Sequence, residues 1–374
     1  MRRLAPLLGL LALGSGFGLQ AQQAAPAKPE EDLLIFKNGD QLSGTLLRSV
    51  SGSVVFKSDM AGEITVPLSN IQELRTHGAF AVLQHGVPVA ESKQVVPSPI
   101  VITTENVTVN EQVVPAKDVA YVVDAKTFDT ALAHDAPLWR GWVGAVNLGT
   151  SFTQATIHGG SLTGGLALAR QVPMVPYFRA RNRTMLNFQE NYGVLTTPVG
   201  INGNVTDVQS KTSIMHADAE RDEYFTKTAF ILGAVAFDHN YAQAIDLQQT
   251  YGAGFGWTVF NTAKHQLDLK GDGHYQKQQH FDRTLDQNLF GSTFSEAYRR
   301  ALPLKMLLTQ TAAIVPAWNN LNAYSANGSV VLAAPVFRNL SLNLTTVDSF
   351  INNPDPGYQK NSLTFTTGLT FLIK

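Results

Sequence analysis

From residue 139 to the last residue, apolar and polar side chains alternate with a period of two. In 178–190, Phe178, Ala180, Thr184, Leu186 and Phe188 share one parity, while Arg179, Arg181, Arg183, Asn187 and Gln189 share the other. In 247–259, Tyr251, Ala253, Phe255, Trp257 and Val259 stand against Thr250, Gly252, Gly254, Gly256 and Thr258. In 361–373, Leu363, Phe365, Leu369, Phe371 and Ile373 stand against Thr364, Thr366, Gly368 and Thr370. A strand turns successive side chains to opposite faces, so each segment has one apolar and one polar face. Twelve such segments lie near 140–153, 160–171, 176–190, 211–223, 228–238, 247–259, 265–279, 288–300, 304–315, 322–333, 339–350 and 361–373.

A sheet of that size leaves two unsatisfied edges unless it closes. In lipid, only helices and closed barrels keep every backbone group hydrogen-bonded. The alternative is a soluble two-layer protein whose apolar faces meet in a core; the glycine-rich, charged polar faces argue against it. The expectation is an all-β chain ending in a closed antiparallel transmembrane β-barrel of about twelve strands. Connections are expected to be short at 172–175, 224–227, 260–264, 301–303 and 334–338. They are expected to be long near 154–159, 191–210, 239–246, 280–287, 316–321 and 351–360. Trp139, Trp142, Phe178, Tyr224, Phe225, Trp257, Phe260, Trp318, Phe337 and Phe371 fall near strand ends, where interfacial girdles form. An even strand count puts both ends of the barrel on one side, the periplasmic side for an exported chain.

The N-terminus reads as an export signal. Arg2 and Arg3 precede an apolar run over 4–19, and Gln20-Ala21-Gln22 offers cleavage after Ala21. The run is shorter than the roughly 20 residues of a membrane-spanning helix and contains four glycines, Gly9, Gly14, Gly16 and Gly18. Residues 22–31 read as a linker. Residues 32–76 read as a small SH3-like or Sm-like β-domain, with a hairpin turn at Lys37-Asn38-Gly39-Asp40. Residues 77–125 read as a second such domain or a repeat. Ile64-Thr65-Val66-Pro67-Leu68-Ser69-Asn70-Ile71 can be laid on the stretch from Glu111 to Val119, around its own Val114-Pro115 step. Residues 126–138 then link to the barrel at 139–374.

Of the 374 residues only 15% are charged, the net charge is −1, and there is no cysteine. The charge balance gives no electrostatic footprint for nucleic acid. Disulfides and zinc–thiolate sites are excluded. The glycines precede no helix and imply no nucleotide site. The loop Asn352-Asn353-Pro354-Asp355-Pro356-Gly357 lacks the spacing of a calcium loop. Neither a metal nor a cofactor is expected.

Residues 139–374 resemble the family of salt-induced outer-membrane proteins, domain of unknown function 481. The resemblance rests on Ala219-Glu220-Arg221-Asp222-Glu223-Tyr224-Phe225, on Gly252-Ala253-Gly254-Phe255-Gly256-Trp257, and on the last strand. It implies an outer-membrane barrel with no established activity or catalytic residues, tied to osmotic or salt conditions. It also implies outer-membrane lipid and the barrel-assembly machinery as partners. That machinery usually reads a terminal aromatic residue; here Phe371 or Ile373 would have to serve.

Two constellations carry possible chemistry. Arg179, Arg181 and Arg183 share one polar face, and His216, Asp218, Glu220 and Asp222 share another on the next strand. These two rows are expected to face each other in the lumen as a ladder of ion pairs; the alternative is a solvated charged face of little energetic weight. Asp268, Lys270, Asp272 and His274 extend the polar interior. A second cluster, His216, Asp238 and His239 at an outer rim, has the residue types to position a water for hydrolysis. The leading expectation is a narrow channel or envelope-integrity protein. The alternatives are an outer-membrane hydrolase using that rim, and a binding scaffold whose 32–125 segment contacts peptidoglycan or a periplasmic protein.

Overall fold

The computed structural model describes residues 31–373 except 88, 135–136, 155–157, 176, 202–203, 263 and 354–359. The expected export signal at 1–21, the linker up to residue 30 and most of the 352–357 loop lie outside the described residues. The chain divides into two compact units, one ending at Lys126 and one beginning at Thr127.

The first unit holds ten strands: β1 (Asp32–Phe36), β2 (Gln41–Val50), β3 (Ser53–Ser58), β4 (Gly62–Pro67), β5 (Ile71–Arg75), β6 (Phe80–Gln84), β7 (Ile100–Thr103), β8 (Asn106–Val109), β9 (Gln112–Pro115) and β10 (Val119–Asp124). The Asn38-Gly39 turn joins β1 to β2, with Gly39 at φ +90°. The two stretches aligned in the sequence share a local form. Pro67 ends β4 before a 3-10 turn, Leu68–Asn70, that leads into β5; Pro115 ends β9 before Ala116–Asp118 and β10. The two halves are interlocked. β1 pairs with β5 and β6 with β10, while β2 pairs with β10 and β5 with β7. The closing strand of each half is therefore shared with the other half. One apolar core serves both, including Leu34, Val54, Phe56 and Leu74 from the first half and Ile102, Val107 and Val122 from the second. Residues 32–76 and 77–125 are halves of one β-unit, because neither five-strand half closes over its own apolar face.

The second unit is a closed barrel of twelve strands: β11 (Trp142–Gln154), β12 (His158–Val172), β13 (Asn182–Ile201), β14 (Asn204–Tyr224), β15 (Ala229–Asn240), β16 (Ile245–Asn261), β17 (His265–His280), β18 (Gln287–Ala301), β19 (Leu307–Val315), β20 (Ser325–Phe337), β21 (Leu340–Ile351) and β22 (Asn361–Ile373). Each strand pairs antiparallel with the next. β11 closes on β22, with Asn147 opposite Thr370 and Leu148 opposite Leu369. Burial is inverted relative to the first unit. Leu148, Phe255, Phe294, Ile314, Leu342 and Phe365 are exposed, whereas Asp222, Asp268, His274, Gln276, Asn343 and Thr370 are buried. The apolar faces point outward and never meet in a core, which removes the two-layer reading. An apolar surface that encircles a closed barrel is stable only in lipid.

The rim that holds the start of β11 and the end of β22, here the terminal rim, also carries the turns 173–181, 225–228, 262–264, 302–306 and 338–339. Connection length does not separate the rims as expected. Residues 191–201 and 204–210 are strand: β13 and β14 pair continuously from Asn182–Glu223 to Ile201–Asn204. The physical reason lies in Asn202-Gly203, a pair that favours a two-residue hairpin, flanked by β-branched residues such as Thr196, Thr197, Thr206 and Val208. The 239–246 connection likewise shrinks to 241–244.

Candidate functional site: a charged lumen wall

The register decides which parity faces inward. Arg183, Met185, Asn187 and Gln189 of β13 lie opposite Asp222, Glu220, Asp218 and His216 of β14, and these lie opposite Leu232, Ala234, Ala236 and Asp238 of β15. Continuing the register brings Gly252, Gly254 and Gly256 of β16, and Asp268, Lys270, Asp272 and His274 of β17, to the same inner face.

Nearest the terminal rim, Arg183 joins three strands. Its Nε donates to Asp222 Oδ2 at 2.8 Å and its Nη1 to Asp268 Oδ2 at 2.7 Å. Thr258 Oγ1 donates to Asp268 Oδ1 at 2.7 Å. The guanidinium lies 5.4 Å from the Phe230 ring centre and 5.9 Å from that of Tyr224. Exposure of the three ionic side chains is 11% for Arg183, 0% for Asp222 and 5% for Asp268, so the guanidinium attracts both carboxylates with little screening. Phe230 fits here because position 256 is glycine; a Cβ there would stand 2.1 Å from the ring. Further from the terminal rim, Lys270 donates to Glu220. Above that, the two ring nitrogens of His216 meet Asp238 Oδ1 at 2.6 Å and Asp218 Oδ1 at 2.8 Å. Asn187 Nδ2 donates to Asp218 Oδ2 at 2.9 Å. Toward the opposite rim the ions give way to amides: Gln276 and Gln278 both donate to Gln248, and Gln287 to Gln278.

β18 adds Arg299 to the inward parity near the terminal rim, and the wall from β19 round to β12 has no charged residue at its described inward positions. Thr370 Oγ1 donates to Asn147 Oδ1 at 2.6 Å, and the Thr311 and Ser329 hydroxyls share a hydrogen bond of 2.8 Å. Between the walls lies a cavity of about 350 Å³, bounded by His216, Asp218, Asn187 and Gln189 on one side and by Thr311, Ser329, Asn343 and Thr345 on the other. Among the described inward residues of β13–β17, six carboxylates (Asp218, Glu220, Asp222, Asp238, Asp268, Asp272) accompany two permanent cations, Arg183 and Lys270. The lumen is therefore acidic on one side and neutral on the other. No group of three or more His, Asp or Glu suited to a metal ion occurs among the described residues.

The expected ladder takes a different form. Arg183 alone of the three arginines is in a strand. Arg179 and Arg181 lie in the 173–181 turn, because the β12–β13 ladder begins at the Val172–Asn182 pair; Pro173 and Pro176 lack the amide protons a ladder needs. Arg183 meets Asp222 as expected of neighbours, but Glu220 turns to Lys270 and His216 to Asp218 and Asp238. The rim cluster is split. His216 and Asp238 join on the inner face, while His239 turns to the outer face, where its Nδ1 lies 2.7 Å from the Asp246 carbonyl oxygen. Adjacent strand residues cannot face the same side, so Asp238 and His239 could not both line one site. Sequence reasoning missed Thr258, Phe230 and the glutamine layer. Strand parity was a signal for all of them, since each shares the inward parity of its strand.

The sequence profile of a family described as protein of unknown function, DUF481, matches residues 175–372. No curated protein sequence is significantly similar to this chain. Among solved structures, the barrel is similar to the NanC porin at 5% identity, over 61% of this chain and 98% of that one, with a TM-score of 0.38. An outer membrane channel from Pseudomonas putida F1 matches at 12% identity, over 64% of this chain and 100% of the other, with a TM-score of 0.35. The translocator domain of the autotransporter NalP from Neisseria meningitidis matches at 10% identity, over 62% and 87%, with a TM-score of 0.33.

Proposed function

This chain belongs to the DUF481 family of proteins of unknown function, and from its charge-lined barrel we propose a narrow outer-membrane channel that passes small hydrophilic solutes and favours cations over anions. The observation that carries this reading is the pair of unlike walls. Carboxylates outnumber permanent cations on β13–β17, while the facing wall offers hydroxyls and amides around the 350 Å³ cavity. Rings of acidic side chains select cations, and confinement between low-dielectric walls strengthens their field. Such a field is screened by salt, which gives a physical route to the osmotic and salt link that the family resemblance implies. With twelve strands, both barrel ends share a rim; in this reading that rim, and the N-terminal β-unit, belong to the periplasm.

Reconstituted in planar bilayers under a KCl gradient, the protein is expected to show small conductance steps with a cation-shifted reversal potential. The double variant Asp218→Asn, Asp238→Asn should reduce that shift without abolishing the steps. Absence of steps, or an anion-shifted reversal potential, would sink the proposal.

A further inference from the structure

All five turns on the terminal rim share one chemistry. Arg179, Lys227, Lys264, Lys305 and Arg338 place one cation or more in each turn, and none of the five turns contains Asp or Glu. All five side chains are exposed. No acidic partner is present for Lys227, Lys264, Lys305 or Arg338 among the described residues. The opposite rim is different. Four of its connections, 155–157, 202–203, 241–244 and 316–324, contain no Lys or Arg, while 281–286 holds Arg283 and 352–360 holds Lys360, which donates to Asn352. There Arg283 pairs with Asp246, and hydrogen bonds from the Thr284 hydroxyl and backbone amide hold the Asp282 carboxyl below the usual carboxylate range.

In three of the five turns a large exposed apolar side chain lies within two residues of the cation. Phe225 is 59% exposed two residues before Lys227, Leu304 is 83% exposed next to Lys305, and Phe337, the last residue of β20, is 64% exposed next to Arg338. The Arg338 guanidinium lies 5.2 Å from the centre of the Phe337 ring. The backbone works against its own preference to make this arrangement. Leu304 and Lys305 both have positive φ, 59° and 60°, and Arg338 has 43°, in the left-handed region that side chains disfavour. A hairpin in need of that conformation usually takes Asn or Gly. Instead a leucine is held in it and projected away from the barrel, and strain of this kind is retained where something outside the fold uses it.

We propose that the terminal rim is a ring of anionic-phospholipid sites, in which each turn cation meets a headgroup phosphodiester and the neighbouring apolar side chain enters the acyl boundary. The apolar partner selects a lipid over a soluble polyanion, because a soluble polyanion would leave Leu304, Phe225 and Phe337 in water. The ring requires only that the barrel spans a membrane, so it stands apart from solute selectivity.

The test uses the full chain folded into phosphatidylcholine vesicles with and without phosphatidylglycerol. The readout is the temperature at which the folded gel mobility is lost. Phosphatidylglycerol should raise that temperature in low salt, and salt should shrink the effect. The variant Lys227→Gln, Lys264→Gln, Lys305→Gln, Arg338→Gln should lose most of the shift, while Arg283→Gln on the opposite rim should keep it. Leu304→Asn separates anchoring from folding: asparagine tolerates positive φ, so stability in detergent should hold or rise, while the phosphatidylglycerol shift falls. Equal temperatures in the two vesicle types would overturn the proposal, as would a full shift in the four-site variant. So would inorganic polyphosphate reproducing the shift in phosphatidylcholine vesicles.

Discussion

At Arg183 one side chain answers two carboxylates on strands that are not neighbours. The guanidinium fork suits this, since Nε and Nη1 point in different directions and each reaches a separate acceptor. Removing it leaves Asp222 and Asp268 buried near each other without a counter-charge. Breaking a buried pair from one side costs about 3–5 kcal/mol, far above the 0–1 kcal/mol of an exposed pair. Arg183→Gln should therefore lower the unfolding free energy from urea titration in lipid vesicles by that order, with a matching fall in midpoint, and Arg183→Lys should restore little of it. A midpoint within error of the wild type would place the cluster among weightless surface charges.

Among the strands, the β13–β14 hairpin stands apart. Its last pair with β12 is His158 opposite Thr196, and β15 leaves β14 at Ile214 opposite Asn240. Residues 197–201 and 204–208 therefore pair only with each other. A two-stranded ribbon without further neighbours is marginally stable. Limited proteolysis should nick 197–208 first and leave the barrel closed, with its folded gel mobility intact. Early cleavage in 225–228 or 262–264 instead would contradict this order. The same element shows how much of the site was legible. The inward parity of Arg183, Asp222 and Glu220 follows from alternation alone. The end of the strand did not, because the Asn202-Gly203 signal sits inside what reads as a polar loop.

For the molecule as a whole, two opposite solutions to burial occur in one chain. The first unit packs Leu34, Phe56, Ile102 and Val122 inward, while the barrel turns its apolar residues out. The barrel therefore predicts a membrane-bound species that runs faster on a gel unheated than boiled, recovered with the outer membrane on fractionation. A soluble species without that mobility change would remove the membrane reading and leave the apolar exterior unexplained.

Alternation over twelve segments, the inward row of carboxylates and the Val-Pro repeat of the first unit were all present in the amino-acid order. Each depends on the local geometry of a strand or turn, and that geometry repeats every two residues or ends at a proline. Closure brought together what no local rule connects. Arg183 meets Asp268 across 85 residues of chain and four strands of barrel, and Lys270 reaches back to Glu220 on β14. The closing strands of the two halves of the first unit each pair across to the other half. Such contacts are set by the curvature and stagger of a closed sheet, quantities that belong to the whole ring of strands and to no single one.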